Sequence, residues 1–273
     1  MRSLNFIARA LLCAGTTSLG SLPIALLGDM TDVQMGLSIS VAAGMMGGCS
    51  LVLAIESVLT APCPAMVVGV ILGGLLIHTI QWVFAERTDL IFGELKGRSA
   101  TGALIIFLSM MLHSLGEGLS IGVSALQPED DDHRLNSVVL LSLAVHNIPE
   151  GMAICMAYRS KGMSIKRAAW YAFLSNLPQP LSAVASFSCM KYFALTTCAV
   201  PIGLGMASGA MCYVVFKELA PEALEKVSSR RVVPLMLISG LAVIVFDAYH
   251  HLGSHDGSAQ IAPWIGIPRG QDL

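Results

Sequence analysis

Charge is what this sequence has least of. Only 12% of its 273 residues are Asp, Glu, Lys or Arg, whereas 55% are hydrophobic, and the mean hydropathy is +0.71. Soluble domains carry about 25% charged residues, so a chain surrounded by water on all sides is excluded. There is also no basic tract or stripe to neutralise phosphates, which excludes nucleic acid as a partner. Seven cysteines lie scattered, mostly inside apolar runs, and none forms a C-x-x-C pair. They read as small buried hydrophobes, although Cys189 and Cys198 flank one short loop and would be the pair to join in an oxidising compartment.

What the chain does have is long apolar runs. Eight segments stand out, at about 5–28, 35–59, 64–84, 101–126, 137–158, 168–190, 195–219 and 232–250. Each approaches the ~20 residues that a helix needs to cross a hydrocarbon core. The first holds Arg2 and Arg9 but no clear A-x-A site, and it continues to Leu27, so it reads as a spanning helix rather than a leader. The expected fold is therefore an all-α, polytopic membrane protein with eight transmembrane helices. Residues 1–256 would form the membrane domain, embedded in lipid, and 257–273 an irregular non-cytoplasmic tail.

The loops after the odd-numbered spans hold eleven Lys and Arg residues, against five on the other side. By the positive-inside rule both termini are non-cytoplasmic, with Trp82 and Trp170 at the inner interface. Plasma membrane and organelle membrane are not distinguished by this argument. A short echo links Ala43-Gly44-Met45-Met46 on the second span with Ser208-Gly209-Ala210-Met211 on the seventh. Those spans cross in opposite directions, as in an inverted repeat.

The chemistry sits on the fourth and fifth spans. One reads His113-Ser114-Leu115-Gly116-Glu117-Gly118, the other His146-Asn147-Ile148-Pro149-Glu150-Gly151. Each contains His-x-x-x-Glu, an i,i+4 pair on one helix face. Both pairs lie near mid-span, and a short loop makes the two helices antiparallel neighbours. Two imidazoles and two carboxylates then meet near the bilayer midplane. A carboxylate there costs about 2.5–3.5 kcal/mol on insertion scales, and a divalent cation neutralises the pair while binding the imidazoles. Such N/O donors suit Zn²⁺, Fe²⁺ or Mn²⁺. In this reading the ion is cargo, with no prosthetic group.

These motifs resemble those of the ZIP (Zrt/Irt-like) metal transporters, closest to the GufA-like branch. The resemblance spans essentially the whole chain, including the Glu218-Leu219-Ala220-Pro221-Glu222 ending of the seventh span. It implies a primary metal site of His113, Glu117, His146 and Glu150, with Ser114 and Asn147 facing an adjacent position. Import toward the cytoplasm by alternating access is likewise implied by the family. Many relatives carry Asn where Ser114 stands, and some carry Glu in the segment that here reads Leu177-Pro178-Gln179-Pro180. Neutral residues at these places imply one strong site and at most a weak auxiliary one. The family's histidine-rich loop between spans three and four is also absent.

Other polar residues are placed along a pathway. Gln179, between two prolines, marks a broken helix opposite the site and a lining position. Glu218 and Glu222, one turn apart at the inner end of the seventh span, would receive departing ions; Lys217 and Lys226 are their nearest cations in sequence. The acidic run Glu129 to Asp132 would gather cations at the outer mouth. His78, alone in its span, reads as a hydrogen-bonded packing residue. Two rival functions share the same site: an intramembrane zinc metallohydrolase and a proton-coupled carrier of an organic solute. The hydrolase is disfavoured by the absence of H-E-x-x-H and of a separate general base, so the chain is not read as an enzyme. Oligomeric state is open, a homodimer included.

Overall fold

Without water, apolar runs of this length satisfy their backbone donors and acceptors as helices. Helices are what the chain forms in a computed structural model that describes residues 8, 11–27, 30–60, 63–84, 89–124, 147–148, 150–190 and 196–253. A helical stretch at 11–16 and a 3-10 turn (Thr17–Gly20) lead into α1 (Ser21–Leu27). Then come α2 (Asp32–Thr60), α3 (Cys63–Phe84), strands β1 (Ile91–Phe92) and β2 (Leu95–Lys96), and α4 (Gly97–Ser124). Residues 150–160 form α5, followed by α6 (Ile165–Asn176) and α7 (Pro178–Met190). The chain continues with α8 (Thr196–Val214), a π-helical turn (Val215–Leu219), α9 (Ala220–Lys226) and α10 (Ser229–Gly253). Among the described residues, five stretches are long and apolar enough to cross a membrane: Asp32–Ile55, Pro64–Phe84, Gly97–Gly118, Pro201–Lys226 and Ser229–Tyr249. His146, Pro149, the run 129–133, the tail 257–273 and the Cys189 and Cys198 side chains lie outside the described residues.

Two expected spans are interrupted, each for a reason visible in its prolines. The sixth divides at Leu177, because Pro178 has no N–H and starts α7, a position that tolerates it. In the seventh, Pro221 likewise lacks a donor, and the turn just before it widens to the π form, with the Ala220 N–H reaching back to the Val215 carbonyl. The connector before α4 has structure of its own. It holds a β-hairpin because Gly93 supplies a φ of +61° at its turn, and because Phe92 packs on Tyr171 at a ring-centroid distance of 4.4 Å.

Glycines set which helices touch backbone to backbone, as small residues do where no water drives association. A Cβ on Gly73 would collide with the Met206 carbonyl and one on Gly209 with the Val70 carbonyl, which ties α3 to α8. On Gly44 it would strike the Met236 carbonyl, which ties α2 to α10. The echoed segments thus have matching neighbours: the second expected span packs on the eighth, and the seventh on the third. On the opposite side, Gly118 and Gly122 abut the Gln179 and Ala183 carbonyls and join α4 to α7, while Gly151 abuts Thr17. The contact across the seam between these two groups is less severe. A Cβ on Gly116 of α4 would find Gly203 O and Ala207 Cβ of α8 at 3.3 Å.

Candidate metal centre

The helical period puts His113 and Glu117 on one face of α4, and the bundle brings Glu150 of α5 against that face. His113 Nε2 lies 3.3 Å from Glu117 Oε1 and 2.6 Å from Glu150 Oε1, and all three side chains are buried. Their ligand atoms fall within 4.8 Å of one another. The register is antiparallel and continues downward: Gly102 lies eleven residues before His113, Lys161 eleven after Glu150, and these two also meet. At 1.5 Å per residue, the cluster sits about 16 Å along the helix axis from that end.

The surrounding shell is polar and tightly tied. Gln179, the second residue of α7, donates from Nε2 to Glu117 Oε2 at 2.8 Å. The break at Leu177 brings it there, and Gly118 lets its carbonyl come close. Ser114 donates to the Ser175 carbonyl at 3.0 Å and also contacts Asn176 Oδ1, while Asn176 Nδ2 donates to Thr17 Oγ1. Asn147 Nδ2 donates to the Cys13 carbonyl at 3.0 Å. Ser114 and Asn147 therefore fasten the site-bearing helices to their neighbours. Among the described residues, His113 Nδ1, Asn147 Oδ1 and Gln179 Oε1 are buried without a hydrogen-bond partner. Buried polar atoms of this kind are satisfied by a bound ion or water.

Sequence reasoning passed over Asn176 and Thr17. The signal was there, in an amide and a hydroxyl inside apolar runs, but both residue types are common enough in helices to draw no attention. Glu218 and Glu222 are not at this cluster. They lie at the end near Gly102, where Lys161 Nζ meets Glu222 Oε2 at 2.9 Å and Glu218 Oε2 at 3.6 Å. Lys217 does not pair with them, and Lys226 faces Asp32 at 3.9 Å. His78 Nδ1 meets the Tyr213 hydroxyl at 3.0 Å, the packing role expected for it.

Comparison with known proteins points to one family. Residues 92–248 match the model of the ZIP zinc transporter family. Over 231 residues the chain is 34% identical to the zinc transporter GufA of Myxococcus xanthus, covering 78% of this chain and 87% of that protein. The chain belongs to the ZIP family. Within it the likeness is to the GufA type, and the protein is an integral, multi-pass membrane protein. An Arabidopsis thaliana protein named as a candidate zinc transporter is 30% identical over 249 residues, which is 91% of this chain. This chain spans only 39% of that relative's length. Zinc transporter ZIPB of Bordetella bronchiseptica is 30% identical over 142 residues, 52% of this chain and 44% of that protein.

Proposed function

We propose that this ZIP protein carries divalent transition-metal ions, zinc first among them, across a membrane toward the cytoplasm. The primary site would be His113, Glu117, His146 and Glu150, with Ser114, Asn147 and Gln179 around it and Glu218 and Glu222 on the way out. One observation carries the reading: an imidazole and two carboxylates converge inside an apolar bundle. Two carboxylates exceed what one imidazole can offset, and a dication supplies the missing charge with a fitting N/O donor set. Zinc comes first because GufA and ZIPB are named zinc transporters; iron and manganese suit the same donors. Eight spans, non-cytoplasmic termini and an inverted repeat belong to this proposal. The paired glycine contacts of α2 with α10 and of α8 with α3 support the repeat. The membrane domain would run to residue 256.

Binding requires deprotonated ligands, so protons compete with the metal at this site. Neither rival function is retained, since the family is one of transporters and its named cargo is a metal. The deciding experiment is uptake of Zn²⁺, Fe²⁺ and Mn²⁺ into proteoliposomes by wild type, Glu150→Ala and His113→Ala. Uptake that each substitution reduces at least tenfold is expected. Folded wild type that binds zinc without moving it would overturn the carrier reading.

A further inference from the structure

The best-built polar feature outside the metal cluster is a chain of contacts at the inner end of the bundle. On one side, Tyr213 donates to Gln81 Oε1, and Gln81 Nε2 donates to Glu218 Oε1 at 3.1 Å. Gln81 lies on α3, Tyr213 on α8 and Glu218 in the π-helical turn, all in the group sealed by Gly73 and Gly209. On the other side stands Lys161, which caps α5. Gly162 follows it at φ +95°, with Gly162 N–H bonded to the Arg159 carbonyl and Met163 N–H to the Tyr158 carbonyl, each at 3.0 Å. That is a Schellman closure, which fixes where the lysine leaves the helix. Its ammonium then crosses the seam to Glu222 at 2.9 Å and Glu218 at 3.6 Å, with all three side chains 11–16% exposed.

We infer that Lys161 is the inner latch of this protein: its ion pairs with Glu218 and Glu222 hold the site-bearing helices against the neighbouring bundle and must open before cargo leaves. The inference rests on the transport reading above. Three features favour a latch over a static staple. Glu218 is held from behind by Gln81 and Lys161 by its cap, so the ion pair is the joint that gives. At Gly116, α4 meets α8 with a milder backbone approach, 3.3 Å to the Gly203 carbonyl, than the glycines that seal each group. Gly102, moreover, offers bare backbone to the pair, since a Cβ there would lie 2.9 Å from Glu218 Oε2 and 3.0 Å from Lys161 Nζ. An ion pair of this exposure costs more to open than a surface pair and less than a fully buried one, which allows it to open and re-form in a repeating cycle.

The test measures distances between spin labels at Lys166→Cys and Arg231→Cys, both exposed, in full-length protein in nanodiscs with reactive native cysteines changed to serine. The reference chain should show one dominant distance. Lys161→Met and Glu222→Gln should each raise the ratio of a longer distance to it by roughly tenfold, between the surface and buried limits for ion pairs. Lys161→Arg should preserve the reference distribution, and Lys161→Glu combined with Glu222→Lys should restore it. Unchanged distributions in both Lys161→Met and Glu222→Gln would overturn the latch, and Glu222→Gln alone decides if the lysine variant does not fold. Zinc uptake by the same reference protein separates the two readings. No uptake with shifted distances sinks transport, and uptake with fixed distances sinks the latch.

Discussion

Gln179 donates a side-chain hydrogen bond to Glu117, 62 residues away in sequence, at 2.8 Å. The amide thereby occupies one carboxylate oxygen of Glu117 and leaves the other turned toward His113 and Glu150. A neutral donor orients the carboxylate without adding charge, which suits the proposed carrier site, where an ion would have to leave again.

Removing that donor should weaken metal binding without abolishing it. Outer-shell partners of metal ligands are worth about 10–100-fold in affinity, so Gln179→Ala should raise the zinc Kd by roughly tenfold. Calorimetric titration of the purified protein measures this directly. An unchanged Kd would mean that Glu117 holds its orientation by packing alone.

Metal should also stabilise the folded state, because the site is assembled only by folding. At a concentration a hundred times Kd the gain is about 2.7 kcal/mol, visible as a rise in Tm that a chelator reverses. Glu117→Ala combined with Glu150→Ala should lose the zinc-dependent part of Tm. Persistence of the full rise in that variant would place the bound metal elsewhere.

Two helical glycines should respond differently to alanine. A Cβ at Gly118 would collide with the Gln179 carbonyl, whereas one at Gly15 meets nothing within 4 Å. Overpacking of this kind costs about 1–3 kcal/mol. Gly118→Ala should therefore lower Tm and, by moving α7 off α4, weaken zinc binding as well. Gly15→Ala should leave both properties unchanged.

The hairpin should carry a pH dependence of its own. Glu94 accepts a hydrogen bond from the Ser164 N–H and faces Arg167 at 3.4 Å. The Ser164 bond chiefly, with help from the arginine, holds its carboxyl below the usual value of 4.5. A lowered folded-state pKa gives stability that is present above the unfolded value and lost as pH falls through the folded one. The hydrogen-exchange protection of residues 89–97, taken relative to the intrinsic exchange rate at each pH, should fall below about pH 4.5 in wild type. The acid-induced loss should be smaller in Glu94→Gln, which lacks the titrating group. Equal acid sensitivity in both proteins would assign the effect to another carboxylate.

The pairings across the bundle show where sequence reasoning stops. Lys217 and Lys226 were the obvious partners, one residue from Glu218 and four from Glu222 respectively. The partner found is Lys161, because Lys226 reaches Asp32 on α2 and the cap of α5 delivers Lys161 across the seam. A linear pattern cannot rank partners that depend on how two helices are rotated against each other.

What the sequence determined by itself was whatever a single helix decides. Hydrophobic length made the chain a membrane protein, the 3.6-residue period placed His113 with Glu117, and proline chemistry marked the break beside Gln179. Only the tertiary structure decided that Glu150 closes on His113, that Asn176 ties Ser114 to Thr17, and that Lys161 spans to Glu218 and Glu222. The first set follows from backbone geometry within a few turns. The second follows from side-chain packing between segments far apart in sequence, fixed by where glycines let backbones meet.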